Sequence, residues 1–234
     1  GFPLLSRSTR SVAPTEAGVV LMDRTMQREQ EMDGIRRTLA MLADGVTGTL
    51  RVAVQAPVSF LLLPDLVKAY RARYPDVCLQ LVEAFSGDVI EQLLAGLIDV
   101  AIVDIPRTPS AELRTTPLWV ETFRLFGWAD ASAVQPERKT PITLPEIAAL
   151  PLIATSKPHV ARYLIESAFE RRSLKFQPVL EANGPPMIAE LVRAGLGYTL
   201  MPESVLRPFS AFEELRSVAV EPKILRTISL TVRA

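Results

Sequence analysis

The chain has 234 residues, of which 48% are hydrophobic and 22% are charged, a balance typical of folded globular proteins and unlike that of disordered ones. Its 26 basic and 26 acidic residues cancel, which leaves no basic excess for holding a nucleic acid backbone. A single cysteine excludes an intrachain disulfide, and its place in an apolar strand pattern predicts that Cys78 is a small core residue.

The N-terminal part of the chain predicts a short turn-rich stretch followed by one long helix. Thr15 stands ahead of Glu16 as a helix-capping residue, and residues 19–43 contain no proline. Apolar residues recur there at mostly helical spacing, namely at Val19, Met22, Met26, Met32, Ile35, Leu39 and Leu42. Such a stripe fits either pairing with the same helix of a second chain or packing on its own domain. The short loop that follows favours pairing.

Residues 48–103 alternate between strand and helix patterns. Strand patterns lie at 48–54, 77–82 and 98–103, and helical patterns lie between them at 60–74 and 88–97. This order predicts a parallel sheet with right-handed crossovers. Open parallel sheets bind ligands at the carboxyl ends of their strands. We therefore expect the segments 55–59, 85–86 and 104–105 to border one small-molecule site.

The second half of the chain repeats the same alternation. Strand patterns lie at 123–128, 151–154, 178–181 and 197–201, helical patterns lie after Thr143, at 158–173 and at 185–194, and the segments 215–220 and 224–232 are β-rich. Two α/β halves with the same topology predict a hinged pair of subdomains.

Four motifs of the first half resemble the effector-binding domain of LysR-type transcriptional regulators, in their order as well as their spacing. They are Gly48-Thr-Leu-Arg-Val52, Leu62-Leu-Pro-Asp-Leu66, Arg73-Tyr-Pro-Asp-Val77 and Leu97-Ile-Asp-Val-Ala-Ile102. Upstream, Gly1-Phe-Pro-Leu-Leu-Ser-Arg7 and Pro14-Thr-Glu-Ala-Gly18 resemble the end of that family's winged helix-turn-helix and the start of its linker helix. The resemblance spans nearly the whole chain.

The resemblance implies an α/β fold with two Rossmann-like subdomains and a hinge, similar to type 2 periplasmic binding proteins and preceded by a long linker helix. It divides the chain into a remnant of the DNA-binding wing at 1–18, a linker and dimerisation helix at 19–46, subdomain I at 47–121 and 213–234, and subdomain II at 122–212. It implies a homodimer or homotetramer that binds DNA through a winged helix-turn-helix absent from this chain. A small-molecule effector, either a small organic acid or a nitrogenous metabolite, would bias subdomain closure and alter DNA binding.

The candidate effector site is formed by the loops at four predicted helix starts, where backbone N–H groups and hydroxyls can hold a small anion. The candidate ligand-binding residues are Ala56, Pro57, Val58, Ser59, Phe85, Ser86, Asp104, Thr155, Ser156, Asn183, Pro185 and Tyr198. Each hydroxyl could instead cap its own helix, and Phe85 and Tyr198 could be core residues. Asp104 would disfavour a fully anionic ligand. Pro57 departs from the family, in which carboxylate-binding relatives commonly carry a hydroxyl near this position.

Two other functions predict features that this sequence lacks. A bilobal solute-binding protein predicts a secretion signal and no long N-terminal helix, whereas residues 1–18 contain no apolar signal segment, so we expect a cytoplasmic protein that does not associate with a membrane. An enzyme predicts clustered titratable groups, yet His159 is the sole histidine, and no nucleophile elbow or phosphate-binding loop is present. We expect His159 to be solvated or to make one contact at the cleft. The sequence predicts neither catalysis nor a cofactor or metal.

Overall fold

The computed structural model describes residues 2–7, 12–22, 24–25, 28, 32, 46–83, 86–104, 111–128, 130–135, 140–206 and 210–234. The chain forms two compact units, the smaller made of Gly1–Leu50 and Tyr70–Leu79 and the larger made of Arg51–Ala69 and Gln80–Ala234.

The smaller unit begins with a hairpin in which β1 (Leu5–Arg7) pairs antiparallel with β2 (Val12–Pro14). Strands this short carry too few residues for an alternating pattern, so the sequence predicted only turns. The hydroxyl of Thr15 accepts a hydrogen bond from the backbone N–H of Gly18 at 3.1 Å, which confirms Thr15 as a helix cap. A side chain at position 18 would overlap the carbonyl oxygen of Leu4, which explains the glycine.

The expected linker helix is partly described. Residues 16–22, 24–25, 28 and 32 are helical. Three members of the apolar stripe are exposed, Val19 by 42%, Met22 by 52% and Met32 by 50%. The other members, Met26, Ile35, Leu39 and Leu42, lie outside the described residues. Pairing of this helix between chains stays a prediction.

The first α/β half has the predicted order of elements. It consists of β3 (Gly48–Val54), α1 (Ala56–Arg73), β4 (Val77–Glu83), α2 (Ser86–Leu94) and β5 (Val100–Asp104). Helix α1 begins at Ala56 rather than at residue 60, because a proline fits the first turn of a helix, where its missing N–H has no partner to lose. Cys78 is exposed, so its prediction as a core residue is wrong. The alternation of strand β4 buries Val77 and turns the next side chain outward.

The longest strand is β6 (Leu113–Gly127), with 15 residues, of which the sequence predicted only the last part. Its first part is rich in polar residues and contains Pro117, features that argue against a strand. The pairing partner of Pro117 is Ser229, next to a shift in register between Ile228 and Ser229. An irregularity of this kind is where a proline is tolerated within a sheet.

The second half contains the remaining elements. They are β7 (Ile142–Thr143), α3 (Leu144–Ala148), β8 (Leu152–Ala154), α4 (Val160–Glu170), β9 (Leu180–Glu181), α5 (Pro185–Arg193), β10 (Tyr198–Pro202), α6 (Ser210–Glu213), β11 (Arg216–Glu221) and β12 (Leu225–Arg233), with 3-10 turns at Ser132–Val134 and Glu203–Leu206. Thr143 and Glu146 form a reciprocal capping box at the start of α3, as the sequence predicted for Thr143.

Strands β6 and β12 connect the two halves of the larger unit. The sheet runs in the order β3-β5-β12-β6-β10-β8-β9. Strands β3 and β5 pair parallel, as do β10 with β8 and β8 with β9, whereas β12 is antiparallel to both β5 and β6. We call β6 and β12 the crossing strands. Each half therefore contributes parallel strands to one side of the sheet, with the crossing strands between them.

Separate hydrophobic clusters support the two halves. Ala53, Val89, Leu93, Ile98, Ala101 and Val103 form the cluster of the first half. Two clusters of the second half are built around the buried rings of Phe123, Phe169, Phe126 and Phe212. The site described next lies where strand ends and helix starts of both halves meet, and its lining includes Ala161, Met201 and Val205 of the second-half clusters.

Candidate functional site

A cleft lies in the larger unit where strand ends and helix starts of both halves meet. It is lined by Gln55, Ala56, Pro57, Thr155, His159, Ala161, Gly184, Pro185, Met201, Pro202, Val205 and Arg226. The cavity measures only about 40 Å³, room for about one water molecule. Most of the lining side chains are apolar, and the polar ones come from β12, from the ends of strands β3 and β8 and from the cap of helix α4.

Three helices begin at this cleft because each follows a strand end. Helix α1 starts at Ala56, α4 at Val160 and α5 at Pro185. Gly184 precedes α5 with φ of 101°, a backbone conformation that favours glycine. The positive ends of three helix dipoles thus meet at one place, and they favour a ligand with negative charge or hydrogen-bond acceptors.

Arg226 provides the only charged side chain among the residues that line the cleft. It is 3% exposed, and its Nε donates a hydrogen bond to Oε1 of Glu121 at 2.6 Å. Its Nη1 lies 3.4 Å from Oδ1 of Asp104, and its Nη2 donates to the hydroxyl of Ser204 at 3.0 Å. The guanidinium therefore joins a crossing strand, the end of β5 and the turn after β10.

The two carboxylates behind Arg226 have further donors. The backbone N–H of Ser204 donates to Oε2 of Glu121 at 2.9 Å, so both oxygens of Glu121 are bonded. Gln55 donates from Nε2 to Oδ2 of Asp104 at 3.3 Å. Burial raises the pKa of Asp104, although the nearby Arg226 and the Gln55 hydrogen bond act in the opposite direction. Asp104 is 1% exposed, and it contacts Arg226 without lining the cleft itself.

His159 lines the cleft as the capping residue of α4. Its Nδ1 accepts a hydrogen bond from the backbone N–H of Ala161 at 3.3 Å. Burial and the positive charge of Arg226 lower the pKa of His159 to about 4. The ring is therefore neutral at pH 7, and because Nδ1 is an acceptor its proton is on Nε2. Of the two roles the sequence left open, contact with the cleft is the one observed.

Ser156 and Asn183 join the loop that follows β8 to the loop that follows β9. Asn183 donates from Nδ2 to the Ser156 hydroxyl at 2.6 Å, and its Oδ1 accepts from the Ser156 N–H at 3.2 Å. Arg162, 5% exposed, donates from Nη1 to the carbonyl of Thr155 at 3.0 Å and to Glu181 at 2.8 Å. These bonds fix the loop that carries Thr155.

The structure brings some of the sequence-predicted site residues together. Ala56, Pro57, Thr155 and Pro185 line the cleft. Ser156 and Asn183 pair with each other on the loops that carry Thr155 and Pro185. Phe85 lies outside the described residues, and Ser86 is the first residue of α2.

Three other candidates lie away from the lining. Val58 is fully buried in the first turn of α1. The hydroxyl of Ser59 donates to the carbonyl of Ala56 at 2.7 Å, within its own helix, and lies 3.3 Å from a carboxylate oxygen of Glu83. Tyr198 is 8% exposed within a hydrophobic cluster of the second half.

Sequence reasoning did not select Arg226 or Gly184 as candidates, nor the apolar lining residues Ala161, Met201, Pro202 and Val205. Gln55 lies in the segment 55–59 that the sequence placed at the border of the site, and His159 is the residue for which a cleft contact was left open. A signal for Arg226 was present, since it is a charged residue inside a β-rich segment. A buried arginine requires a buried partner. That partner, Glu121, is distant in sequence, and only the strand pairing identifies it.

Residues 43–234 match the family described as the LysR substrate binding domain. The chain belongs to this family. The resemblance inferred from the four motifs and the expected fold class are both confirmed. Among the described residues, no group of three or more histidine, cysteine, aspartate or glutamate side chains is placed to hold a metal ion. In the same part of the chain, no helix is both long and apolar enough to cross a membrane.

Two curated relatives of this LysR domain are bacterial transcriptional regulators. BbuR of Bordetella bronchiseptica is 29% identical over 201 residues, which cover 86% of this chain and 61% of BbuR. IlvR of Caulobacter vibrioides is 30% identical over 232 residues, which cover 97% of this chain and 76% of IlvR. The chain thus spans about three fifths of the length of BbuR.

A solved relative has the same fold. The cofactor-binding domain of the Cbl transcriptional regulator superposes with a TM-score of 0.70 at 26% identity, covering 80% of this chain and 81% of that one. These relatives are regulators rather than transport proteins, so the solute-binding alternative is not favoured.

Proposed function

We propose that this chain is the effector-binding part of a LysR-type transcriptional regulator. A small molecule would bind in the cleft and change how a homodimer or homotetramer binds DNA through a winged helix-turn-helix absent from this chain. The observation that carries the proposal is the meeting of two α/β halves of a LysR domain at a cleft that contains a buried arginine. The solved Cbl relative is a cofactor-binding domain of a transcriptional regulator, which supports ligand binding in this fold.

The chain would then divide by role. Residues 1–18 would belong to the end of the DNA-binding wing, 19–46 to the linker and dimerisation helix, 47–121 with 213–234 to subdomain I, and 122–212 to subdomain II. Strand β12 supports the return of the C-terminal end to subdomain I, because it pairs with β5 of the first half. No catalytic role is proposed, since the curated relatives are regulators.

The polar groups facing the cleft favour an effector that accepts hydrogen bonds. Arg226 can only donate, and the neutral His159 donates from Nε2. Both carboxylates, Glu121 and Asp104, lie behind Arg226 and are not lining residues. A small organic acid with an apolar body matches these donors and the apolar lining, whereas a cationic nitrogenous metabolite would meet the positive charge of Arg226 first.

The proposed effector requires movement of the halves. Ligand pockets for small molecules typically measure roughly 300 to 1,000 Å³. The cavity of about 40 Å³ is therefore too small for an organic acid. Binding would open the cleft by bending the crossing strands, and the ligand would bias the equilibrium by its higher affinity for the opened state. Prolines at 57, 185 and 186 limit the number of backbone donors, so Arg226 and side chains must supply much of the recognition.

A thermal-shift screen of the chain tests the proposal. The panel would contain aliphatic and aromatic carboxylates, amino acids and nitrogenous bases, and a bound compound would raise the melting temperature in proportion to log concentration. For any hit, Thr155→Val removes the cleft hydroxyl at nearly constant shape. Ser59→Ala is the matched control, because that hydroxyl bonds within α1.

The outcomes separate the cleft from other sites. Weaker binding by Thr155→Val with unchanged binding by Ser59→Ala supports the cleft as the effector site. Equal affinity in both variants would remove Thr155 from the site. Hits confined to cations would overturn the organic-acid assignment while leaving the regulator assignment intact.

A further inference from the structure

A second concave surface lies in the larger unit, at the far end of helix α4 from the cleft. It is lined by Leu164, Ala168, Arg171, Arg172, Pro222, Lys223, Ile224 and Leu225. Its volume of about 380 Å³ is within the range of small-molecule sites and far exceeds that of the cleft. We call this surface the basic groove.

Cations from two separate elements converge on the basic groove. Arg171 and Arg172 follow the last residue of α4, and Lys223 lies in the turn between β11 and β12. All three are exposed. Among the described residues, no carboxylate forms an ion pair with Arg172 or Lys223. The groove therefore has cationic side chains available for an anion.

The end of the helix explains only part of this arrangement. Basic residues are favoured near a helix C-terminus, and Arg171 donates from Nε to the carbonyl of Ser167 at 3.0 Å. Lys223 belongs to a different element, so the dipole of α4 did not place it there. The groove is also lined by the apolar side chains of Leu164, Ala168 and Ile224, which we call its floor. A floor of this kind suits an uncharged ring or chain.

We propose that the basic groove is a second ligand site, which binds a small organic molecule with a carboxylate and an apolar ring. The carboxylate would lie between Arg172 and Lys223, and the ring would cover the floor. The two cations supply charge complementarity, and the apolar lining supplies buried area. The site shares no lining residue with the cleft.

A ligand in the basic groove would contact the start of a crossing strand. Ile224 and Leu225 line the groove, and the carbonyl of Ile224 accepts a hydrogen bond from the N–H of Phe123 at 2.9 Å. Phe123 lies on the other crossing strand, β6, and Arg226 of the cleft follows Leu225 directly. Occupation of the groove would therefore stiffen the strands whose bending opens the cleft.

Isothermal titration calorimetry of the 234-residue chain with 2-naphthoate tests the site. The double variant Arg172→Gln with Lys223→Gln removes both cations while keeping the surface polar. Removal of two exposed cations should weaken binding about tenfold. Lys175→Gln is the matched control, since Lys175 is an exposed cation after α4 that does not line the groove. The uncharged 2-naphthamide should bind the wild type at least about tenfold more weakly than 2-naphthoate.

The result that supports the proposal is loss of affinity in the double variant with wild-type affinity in the Lys175 variant. Absence of binding by the wild type would overturn it. So would equal affinity in the double variant, because the acid would then bind elsewhere, or equal affinity for the amide, because the cations would then have no role. Circular dichroism melts of the variants check that their fold is unchanged.

Discussion

Arg226 and Glu121 are paired in two ways, as partners in neighbouring strands and through a hydrogen bond between their side chains. They lie directly opposite each other in the antiparallel pairing of β12 with β6, and Nε donates to Oε1 at 2.6 Å. Arg226 is 3% exposed and Glu121 is 9% exposed. This buried pair joins the crossing strands at the cleft. Removal of one partner leaves a buried charge with less compensation, which is far more damaging than loss of a surface pair.

Glu121→Leu should therefore destabilise the chain strongly. We expect a loss of about 3 to 5 kcal/mol in the free energy of unfolding, measured by urea denaturation. The control is Glu203→Gln, which weakens an exposed pair with Arg124 at 3.4 Å. That control should cost less than about 1 kcal/mol. Similar losses in the two variants would contradict the importance of burial at Arg226.

Asp104 should behave differently from Glu121, although both carboxylates face Arg226. Its pKa in the folded protein is raised above the ordinary value of 3.8, chiefly by burial. The folded state therefore binds the proton more tightly than the unfolded state. The stability contributed by this group is fully present below pH 3.8 and is lost as pH rises through the folded pKa.

Asp104→Asn removes this titration and keeps an oxygen that can accept from Gln55. We expect the variant to gain stability relative to the wild type as pH rises from about 4 to about 7, measured by urea denaturation across that range. If the variant instead lost stability relative to the wild type over that range, Asp104 would be required as a charged partner of Arg226, and burial would not be its dominant effect.

The order of elements followed from local sequence patterns, whereas the chemistry of the cleft did not. Residues 48–103 alternate clearly between strand and helix, so the first half was predicted with small errors at the ends. The start of β6 was missed because Pro117 interrupts it, and tolerance of that proline depends on a register shift against β12. Pairing between distant strands is not visible in local periodicity.

The same distinction applies to the site. The rule that ligands bind at strand ends selected Ala56, Pro57, Thr155 and Pro185, and the structure places these four residues in the lining of the cleft. Their contact with a ligand stays a prediction. Arg226 reaches the cleft because β12, the C-terminal strand, lies between β5 and β6. Tyr198 begins a strand as predicted, but its side chain fills the core. The strand pattern alone cannot decide which face of the sheet a side chain occupies.

Because His159 is the sole histidine, its pKa can be measured directly. The pKa of His159 is lowered from 6.5 to about 4 by burial and by Arg226. The unfolded chain therefore binds a proton more readily than the folded chain, so stability falls as pH drops from 6.5 to about 4. The full loss from this group is on the order of 3 kcal/mol.

His159→Asn removes this titration while keeping a side chain that can cap α4. The variant should lose less stability than the wild type over this interval, as measured by urea denaturation. An NMR titration of the imidazole protons in the wild type gives the pKa itself. A value near 6.5 would show that the ring is well hydrated and would contradict its assignment as a neutral donor in the cleft.

Variants of Asn183 and Ser156 test how much the hydrogen bonds between these two loops contribute to the free energy of unfolding. Asn183 makes two hydrogen bonds to the other loop, one to the Ser156 hydroxyl and one from the Ser156 N–H. Asn183→Ala removes both, and we expect a loss of about 1 to 2 kcal/mol. Ser156→Ala removes only the bond to the hydroxyl, so it should cost about half as much.

The double variant shows whether Asn183 and Ser156 stabilise the chain through their shared hydrogen bond or through independent contacts. Once Asn183 is alanine, the Ser156 hydroxyl has lost its partner, so adding Ser156→Ala should change the free energy of unfolding little further. A double-mutant cycle by urea denaturation measures this coupling. Additive losses would mean that each side chain stabilises its loop through separate contacts. Non-additive losses, with weaker binding of any cleft ligand in Asn183→Ala, would mean that the Asn183–Ser156 hydrogen bonds position Thr155 for the ligand.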